Sequence, residues 1–157
     1  MTTDRKQVVI LGAGYGGLCT ALKLERLLRK NKDWRILLID QYDYHQLKTE
    51  LHEVAANRSG FETVTVPIAR LVKGKGIDFF HAEAISIDFA QRLVTTTRGK
   101  IKYDKLVIAL GSETEFFGIP KLGKQALTLS SVDDAIRIRE HIRDMFAQAQ
   151  SEQDELK

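Results

Sequence analysis

The sequence predicts an α/β fold in which a parallel sheet is flanked by helices and a small antiparallel β-meander is added late in the chain. Three observations predict it. The apolar runs Val8–Leu11, Ile36–Ile39 and Leu106–Leu110 contain no alternating polar residues, the pattern of strands covered on both faces. A stretch of helical spacing, Tyr15 to about Lys30, separates the first two runs. Between Ala84 and Tyr103 the period drops to two, as in half-buried antiparallel strands.

Gln7–Leu11 is a short buried strand stopped by glycine, and the helix after it sets Leu18, Ala21, Leu22 and Leu28 along one side. Cys19, in the same helix, is expected to be a small buried residue. Arg35–Ile39 is a second buried strand ending at Asp40. Thr49–Asn57 is helical, and a further short helix starts near Pro67, since proline suits a first helical turn. Ile77–Phe80 forms a third strand. Ile85, Ile87 and Phe89, then Ile101 and Tyr103, alternate with polar residues around a hairpin turn at Arg98-Gly99. Lys105–Leu110 returns to a buried strand that ends at Gly111. The last helix begins at Ser131, with Asp134 completing a capping box. Val132, Ala135, Ile136, Ile142, Met145, Phe146 and Ala149 share one face of it. Residues 1–150 are thus expected to be one domain, and Ser151–Lys157 a frayed polar tail.

Composition narrows the function. The 157 residues are 43% hydrophobic and 29% charged, with 24 Lys and Arg against 21 Asp and Glu, for a net charge of +3. The signs are interspersed, so the basic stripe of a nucleic-acid binder is missing and no nucleic acid is expected as partner. One cysteine excludes an internal disulfide, and His45, His52, His81 and His141 lack metal-ligand spacing. No apolar run approaches the roughly 20 residues of a membrane span or the about 7 of a signal-peptide core. A cytoplasmic location is the expectation.

The informative segment is Gly12-Ala13-Gly14-Tyr15-Gly16-Gly17. It follows a buried strand, opens a helix, and is answered by Asp40 at the end of the next strand, about 20 residues beyond the glycines as a dinucleotide fingerprint requires. Gly12 permits the tight turn, Gly14 lets the backbone approach a pyrophosphate, and Gly17 lets helix and strand pack closely. Unpaired N–H groups at the positive end of the helix dipole attract phosphate. The Asp40 carboxylate accepts hydrogen bonds from a ribose 2′-OH and repels a 2′-phosphate, which disfavours NADP. The fold is therefore Rossmann-like.

Both NAD and FAD contain the ADP half that this fingerprint binds. The meander between Ala84 and Tyr103, followed by Leu106–Gly111, resembles the FAD domain of glutathione-reductase-like flavoproteins. In those proteins an Ala-Thr-Gly lies against the cofactor, where this chain has Ala109-Leu110-Gly111-Ser112. Leu110 lacks the hydroxyl, while Gly111 keeps close backbone approach available. Disulfide reductases and sulfide:quinone reductases of this fold need cysteines, and Tyr44–Ala55 contains none. That segment, Tyr44-His45 with Glu50-Leu51-His52-Glu53-Val54-Ala55, resembles the type II NADH dehydrogenases, the non-proton-pumping NADH:quinone oxidoreductases. Ala109–Ser112 and Phe117-Gly118-Ile119-Pro120 resemble the same family.

The resemblance implies FAD as cofactor, with Gly12, Ala13, Gly14, Tyr15, Gly16 and Gly17 at its pyrophosphate. It implies Asp40 and Gln41 at the adenosine ribose, Lys48 lining the flavin site, Ala84 beside the adenine and Gly111 close to the cofactor. His45 and His52 match positions on the flavin side, where a packed or surface histidine is at least as good a reading as a proton carrier. The implied reaction passes a hydride from NADH to FAD and then electrons to a membrane quinone. No catalytic residue is assigned, because the isoalloxazine does the chemistry. Family members carry a second glycine fingerprint for NADH, a later Gly-Asp strand and a membrane-docking segment, none of which occurs in these 157 residues. The chain is therefore expected to be the first part of a larger enzyme, peripheral on the cytoplasmic membrane face, with a homodimer as one assembly. The alternative is a stand-alone nucleotide-binding module without turnover.

Overall fold

The computed structural model describes residues 5–119 and 121–152. They fall into two compact units: residues up to His45 with Val66–Ser112, and Gln46–Thr65 with residues from Glu113. In chain order, the first unit opens with β1 (Lys6–Leu11), α1 (Tyr15–Leu28), β2 (Trp34–Asp40) and β3 (Tyr44–Gln46), whose last residue already belongs to the second unit. That unit holds α2 (Leu51–Ala55) and α3 (Phe61–Val64), and the chain returns through β4 (Thr65–Pro67). Back in the first unit come α4 (Ile68–Val72), β5 (Ile77–His81), β6 (Ala84–Asp88), β7 (Leu93–Thr96), β8 (Gly99–Lys102) and β9 (Lys105–Ile108). The second unit takes α5 (Leu122–Gln125) and α6 (Val132–Ser151).

The first unit is built on a parallel sheet of order β5-β2-β1-β9. Successive side chains of a strand point to opposite faces, and the apolar runs are shared out accordingly. Val8 and Ile10 of β1 and Ile36 and Leu38 of β2 pack with Leu18 and Ala21 of α1 and Ile68 and Val72 of α4. Val9, Leu11 and Ile39 face the other way, onto Val94 of the antiparallel β6-β7-β8 sheet and Tyr103 just after it. Each fully buried aliphatic side chain contributes about 1.5–3 kcal/mol, so β1, with Val9, Ile10 and Leu11 wholly inaccessible, is the centre of the unit.

Several expectations need correction. The hairpin turn lies at Thr97-Arg98, and Gly99, at φ +128°, is the first residue of β8. The register of β6 on β7 shifts between Ala84 and Ser86. This bulge turns Ile85 out, Phe89 is exposed in the turn after β6, and of the three only Ile87 joins the core. Strand β9 stops at Ile108 and is an edge strand, leaving Ile108 and Leu110 exposed. Pro67 stands just before α4 rather than in its first turn. Thr49–Asn57 divides into a 3-10 turn, Lys48–Glu50, and α2. Cys19 is exposed, because the inward stripe of α1 runs through Leu18, Ala21 and Glu25. Pro120 and residues 153–157, on which the family-like motif and the tail partly rest, lie outside the described residues.

In the second unit, Val132 and Ala135 of α6 pack with Leu51 and Val54 of α2 and Val64 of α3. The expected apolar face is buried only in its first turns; Ile142, Met145 and Phe146 stay exposed. Ser131 caps α6 by accepting from the Asp134 N–H at 3.1 Å. Asp134 does not reach back to the Ser131 N–H as a capping box would. Its carboxylate accepts from the Ser130 N–H at 3.0 Å and the Ser130 hydroxyl at 2.7 Å. Burial pushes the Asp134 pKa up, and the bonds from Ser130, Thr128 and Ser131 outweigh it, leaving it below the ordinary 3.8.

A depressed carboxylate pKa contributes stability that is present above the unfolded value and lost as the pH falls through the folded one. Thermal melts between pH 7 and strongly acid solution, about pH 2, should show this loss below the ordinary 3.8, and Asp134→Asn should make the acid limb shallower. At neutral pH Ser131→Ala should destabilise α6 by about 1 kcal/mol, read as a lower midpoint in urea.

Candidate nucleotide site at the glycine loop

The loop between β1 and α1 separates its glycines by physical role. Gly12 has φ +96°, and a Cβ there would lie 2.2 Å from the Ala109 carbonyl oxygen. A Cβ on Gly17 would lie 1.8 Å from the Gly12 carbonyl oxygen. These two positions must be glycine for the chain's own packing, whatever else binds. Gly16 is looser, with the Ala109 methyl 4.0 Å from the position a Cβ would take. Gly14 differs in kind: its φ is −66°, open to any residue, and a Cβ would meet nothing within 4 Å. No neighbour in the chain asks for glycine at position 14. A phosphate group seated against the backbone does, so the residues present fit a pyrophosphate.

Electrostatics agree with that fit. Gly14 is the N-cap of α1; no side chain caps this helix end, and its first turn carries no acid. The helix itself brings no cap or acid to the positive end of its dipole, whose N–H groups stay available to an anion. Asp40, at the C-terminal end of β2, is half-buried and grips the loop. Its Oδ2 accepts from the Ala13 N–H at 2.5 Å and its Oδ1 from the Tyr42 N–H at 2.8 Å. An ionised carboxylate has about four acceptor sites, so capacity remains for ribose hydroxyls.

The other expected positions separate. Gln41 is exposed beside Asp40, and its carbonyl accepts from His81 Nε2 at 2.8 Å. Ala84 opens β6 opposite Thr96 and is half-buried. Gly111 follows β9 with φ +86° and has no neighbour within 4 Å of a would-be Cβ. All three belong to the first unit, with the loop. Lys48 belongs to the second unit, where it is exposed at the start of the 3-10 turn. His52 is exposed and pairs with Glu53 at 3.1 Å. A cavity of about 580 Å³ in the second unit, between α2 and α6 and lined by Ala55, Arg139 and Ile142, contains none of these residues. Among the described residues no cluster of His, Cys, Asp and Glu could hold a metal ion.

Sequence reasoning noted His45 without giving it a role. The structure buries it, with Nδ1 2.8 Å from the Ala13 carbonyl oxygen. Its ring meets that of Tyr15 edge to face at 4.8 Å between centroids. No spacing rule would have found this contact, because His45 and Ala13 are brought together by the return of β3 past the loop.

Comparison with known proteins places these features in context. The family model described as pyridine nucleotide-disulphide oxidoreductase matches residues 6–150. A type II NADH:quinone oxidoreductase of Staphylococcus haemolyticus is 39% identical over 147 residues, covering 94% of this chain and 36% of that protein. The solved sulfide:quinone oxidoreductase of Aquifex aeolicus superposes with a TM-score of 0.80 at 32% identity, over 90% of this chain and 32% of its own. An NDH2 from Plasmodium falciparum solved with NADH shares the fold at a TM-score of 0.81 and 22% identity, over 93% of this chain and 30% of its own. The chain thus spans about a third of the length of the relatives it matches.

The glycines should separate by mutation. Gly17→Ala drives a methyl into backbone and should destabilise the fold by about 1–3 kcal/mol, measured by urea unfolding. Gly14→Val should melt close to the parent yet bind ADP and FAD much more weakly in calorimetric titration. Unchanged affinity in a well-folded Gly14→Val variant would show the loop to be structural only.

Proposed function

The chain belongs to the pyridine nucleotide-disulphide oxidoreductase family, and from that membership we propose that it forms the FAD-binding part of a type II NADH:quinone oxidoreductase. The observation that carries the reading is Gly14, a glycine with an ordinary φ and empty space where its side chain would stand. The identity of 39% along 94% of the chain to a protein of that name supports the enzyme class.

Family membership implies a flavin, and the Asp40 carboxylate favours the ADP ribose of FAD over a 2′-phosphate. Gly12–Gly17 hold the pyrophosphate through backbone N–H groups; Asp40 and Gln41 hold the ribose. Ala84 lies beside the adenine, Gly111 admits the cofactor close to the backbone, and Lys48 lines the flavin site. Bound FAD supplies the redox chemistry, taking a hydride from NADH and releasing electrons to a quinone. The chain's own residues bind and orient it. NADH and a membrane quinone are partners of a protein of the relatives' length, which works peripherally on the cytoplasmic membrane face, as a homodimer in one assembly. Among the described residues no helix is long and apolar enough to cross a membrane.

Two measurements test the reading. The purified chain, denatured, should release FAD or take it up on titration, and stoichiometric NADP would refute the cofactor. NADH oxidation with added FAD and a soluble quinone should be absent with the 157 residues alone. It should appear when they replace the matching part of the Staphylococcus haemolyticus relative. Turnover by the 157 residues alone would refute the division of labour, and nucleotide binding without turnover in the hybrid would favour a stand-alone binding module.

A further inference from the structure

We propose that His45 is a positioning residue of the nucleotide site, which holds the Ala13 carbonyl so that the Gly14 N–H is turned outward for a phosphate oxygen. The inference rests on the reading of the loop as a nucleotide site and adds a residue that this reading does not use.

Both peptides that meet at Ala13 are held, Gly12–Ala13 through its N–H and Ala13–Gly14 through its carbonyl. Asp40 Oδ2 accepts the Ala13 N–H, and His45 Nδ1 lies 2.8 Å from the Ala13 carbonyl oxygen. A carbonyl only accepts, so Nδ1 carries the proton and donates it. No described peptide bond is cis, and in a trans peptide the C=O and the following N–H point in opposite directions. Fixing the Ala13 carbonyl on the imidazole therefore aims the Gly14 N–H away from it. That N–H meets no acceptor among the described residues. It belongs to the N-cap of a helix with no side-chain cap and no acid in its first turn, beside the empty space at Gly14. An outward donor, a positive helix end and open space are what a phosphate oxygen needs.

His45 is also fixed in its own place. It is 6% exposed, and the Tyr15 ring, on the first residue of α1, stands at 83° to the imidazole. The imidazole thus links the loop's carbonyl to the first turn of the helix whose N–H groups would share the anion. An apolar residue at 45 could fill the space, but it would leave the Ala13 carbonyl, on a residue 2% exposed, without a donor. The loop would then relax toward water, and the Gly14 N–H would lose its direction. Asparagine can offer an amide N–H near the place of Nδ1.

The test compares the 157-residue chain with His45→Leu and His45→Asn. ADP and FAD binding are measured by calorimetry, folding by thermal melts, and the Gly14 amide by ¹⁵N–¹H correlation spectra during ADP titration. In the parent chain the Gly14 amide should shift on ADP addition. His45→Leu should bind ADP about tenfold more weakly and lose that shift, and His45→Asn should recover most of both. A folded His45→Leu chain with parental ADP affinity and a parental Gly14 shift overturns the proposal. If His45→Leu does not fold, the imidazole ¹⁵N signals of the parent decide. Nδ1 protonated, with a Gly14 shift on ADP, supports the proposal, and Nε2 protonated with Nδ1 bare overturns it. A parent chain that binds neither ADP nor FAD overturns the nucleotide reading itself, and this inference with it.

Discussion

The distance between helix α1 and the carbonyl end of β1 governs the whole glycine-loop end of the sheet. The Gly12 carbonyl oxygen occupies the place where a side chain at 17 would begin. The helix can approach only because residue 17 has no Cβ. From that approach follow the tight turn at Gly12, its passage under the Ala109 carbonyl, and the position of the first helical N–H groups. The Ala109 N–H donates to the Leu11 carbonyl at 2.8 Å, so β9 is tied to the same point. A single methyl at 17 would displace the helix, the turn and the β9 exit together.

Around this packed point polar groups hold the two successive peptide planes that meet at Ala13, and they do so from distant parts of the chain. Asp40 and His45 lie 27 and 32 residues from Ala13. They bind opposite sides of one residue, an acceptor on its N–H and a donor on its carbonyl. The Asp40 backbone carbonyl, for its part, accepts from the Ala82 N–H at 2.9 Å, which ties the end of β2 to the segment leading into the meander. The helix end is left without acid or cap while the strand end beside it carries the carboxylate. A positive helix end and a carboxylate thus stand side by side.

Burial is uneven in a way that matters for how the chain works. β1 and β2 are covered on both faces, by α1 and α4 on one side and the meander on the other. β9 is covered less, and Ile108 and Leu110 are 55% and 60% exposed. In the second unit Phe146 is 70% exposed at the far end of a helix whose first turns are buried. In this family fold the chain accounts for about a third of its relatives' length.

The residues alone made the parallel sheet, the glycine loop and its acid legible, because each rests on a local rule. Uninterrupted apolar runs mark strands buried on both faces, and the place of a glycine follows from chain direction and spacing. The cap at Ser131 was legible for the same reason. Other features needed the folded molecule. The inward stripe of α1 could not be phased finely enough to put Cys19 outside and Glu25 inside, where Arg29 holds its carboxylate by an ion pair at 3.0 Å. Glu25 has its pKa lowered by that hydrogen bond. The bulge at Ile85 and the edge position of β9 depend on which strands are neighbours, which no periodicity encodes. The three-residue strands β3 and β4 are too short to carry a period at all. The separate tasks of Gly12, Gly14 and Gly17 were legible from their places in the motif, but the carbonyls that crowd Gly12 and Gly17 and the open space at Gly14 came from what stands around each. His45 became a loop anchor only because β3 returns past Ala13. Local pattern encodes which groups a segment must bury or cap; which distant group meets them depends on chain return and close packing, and these exist only once the sheet has formed.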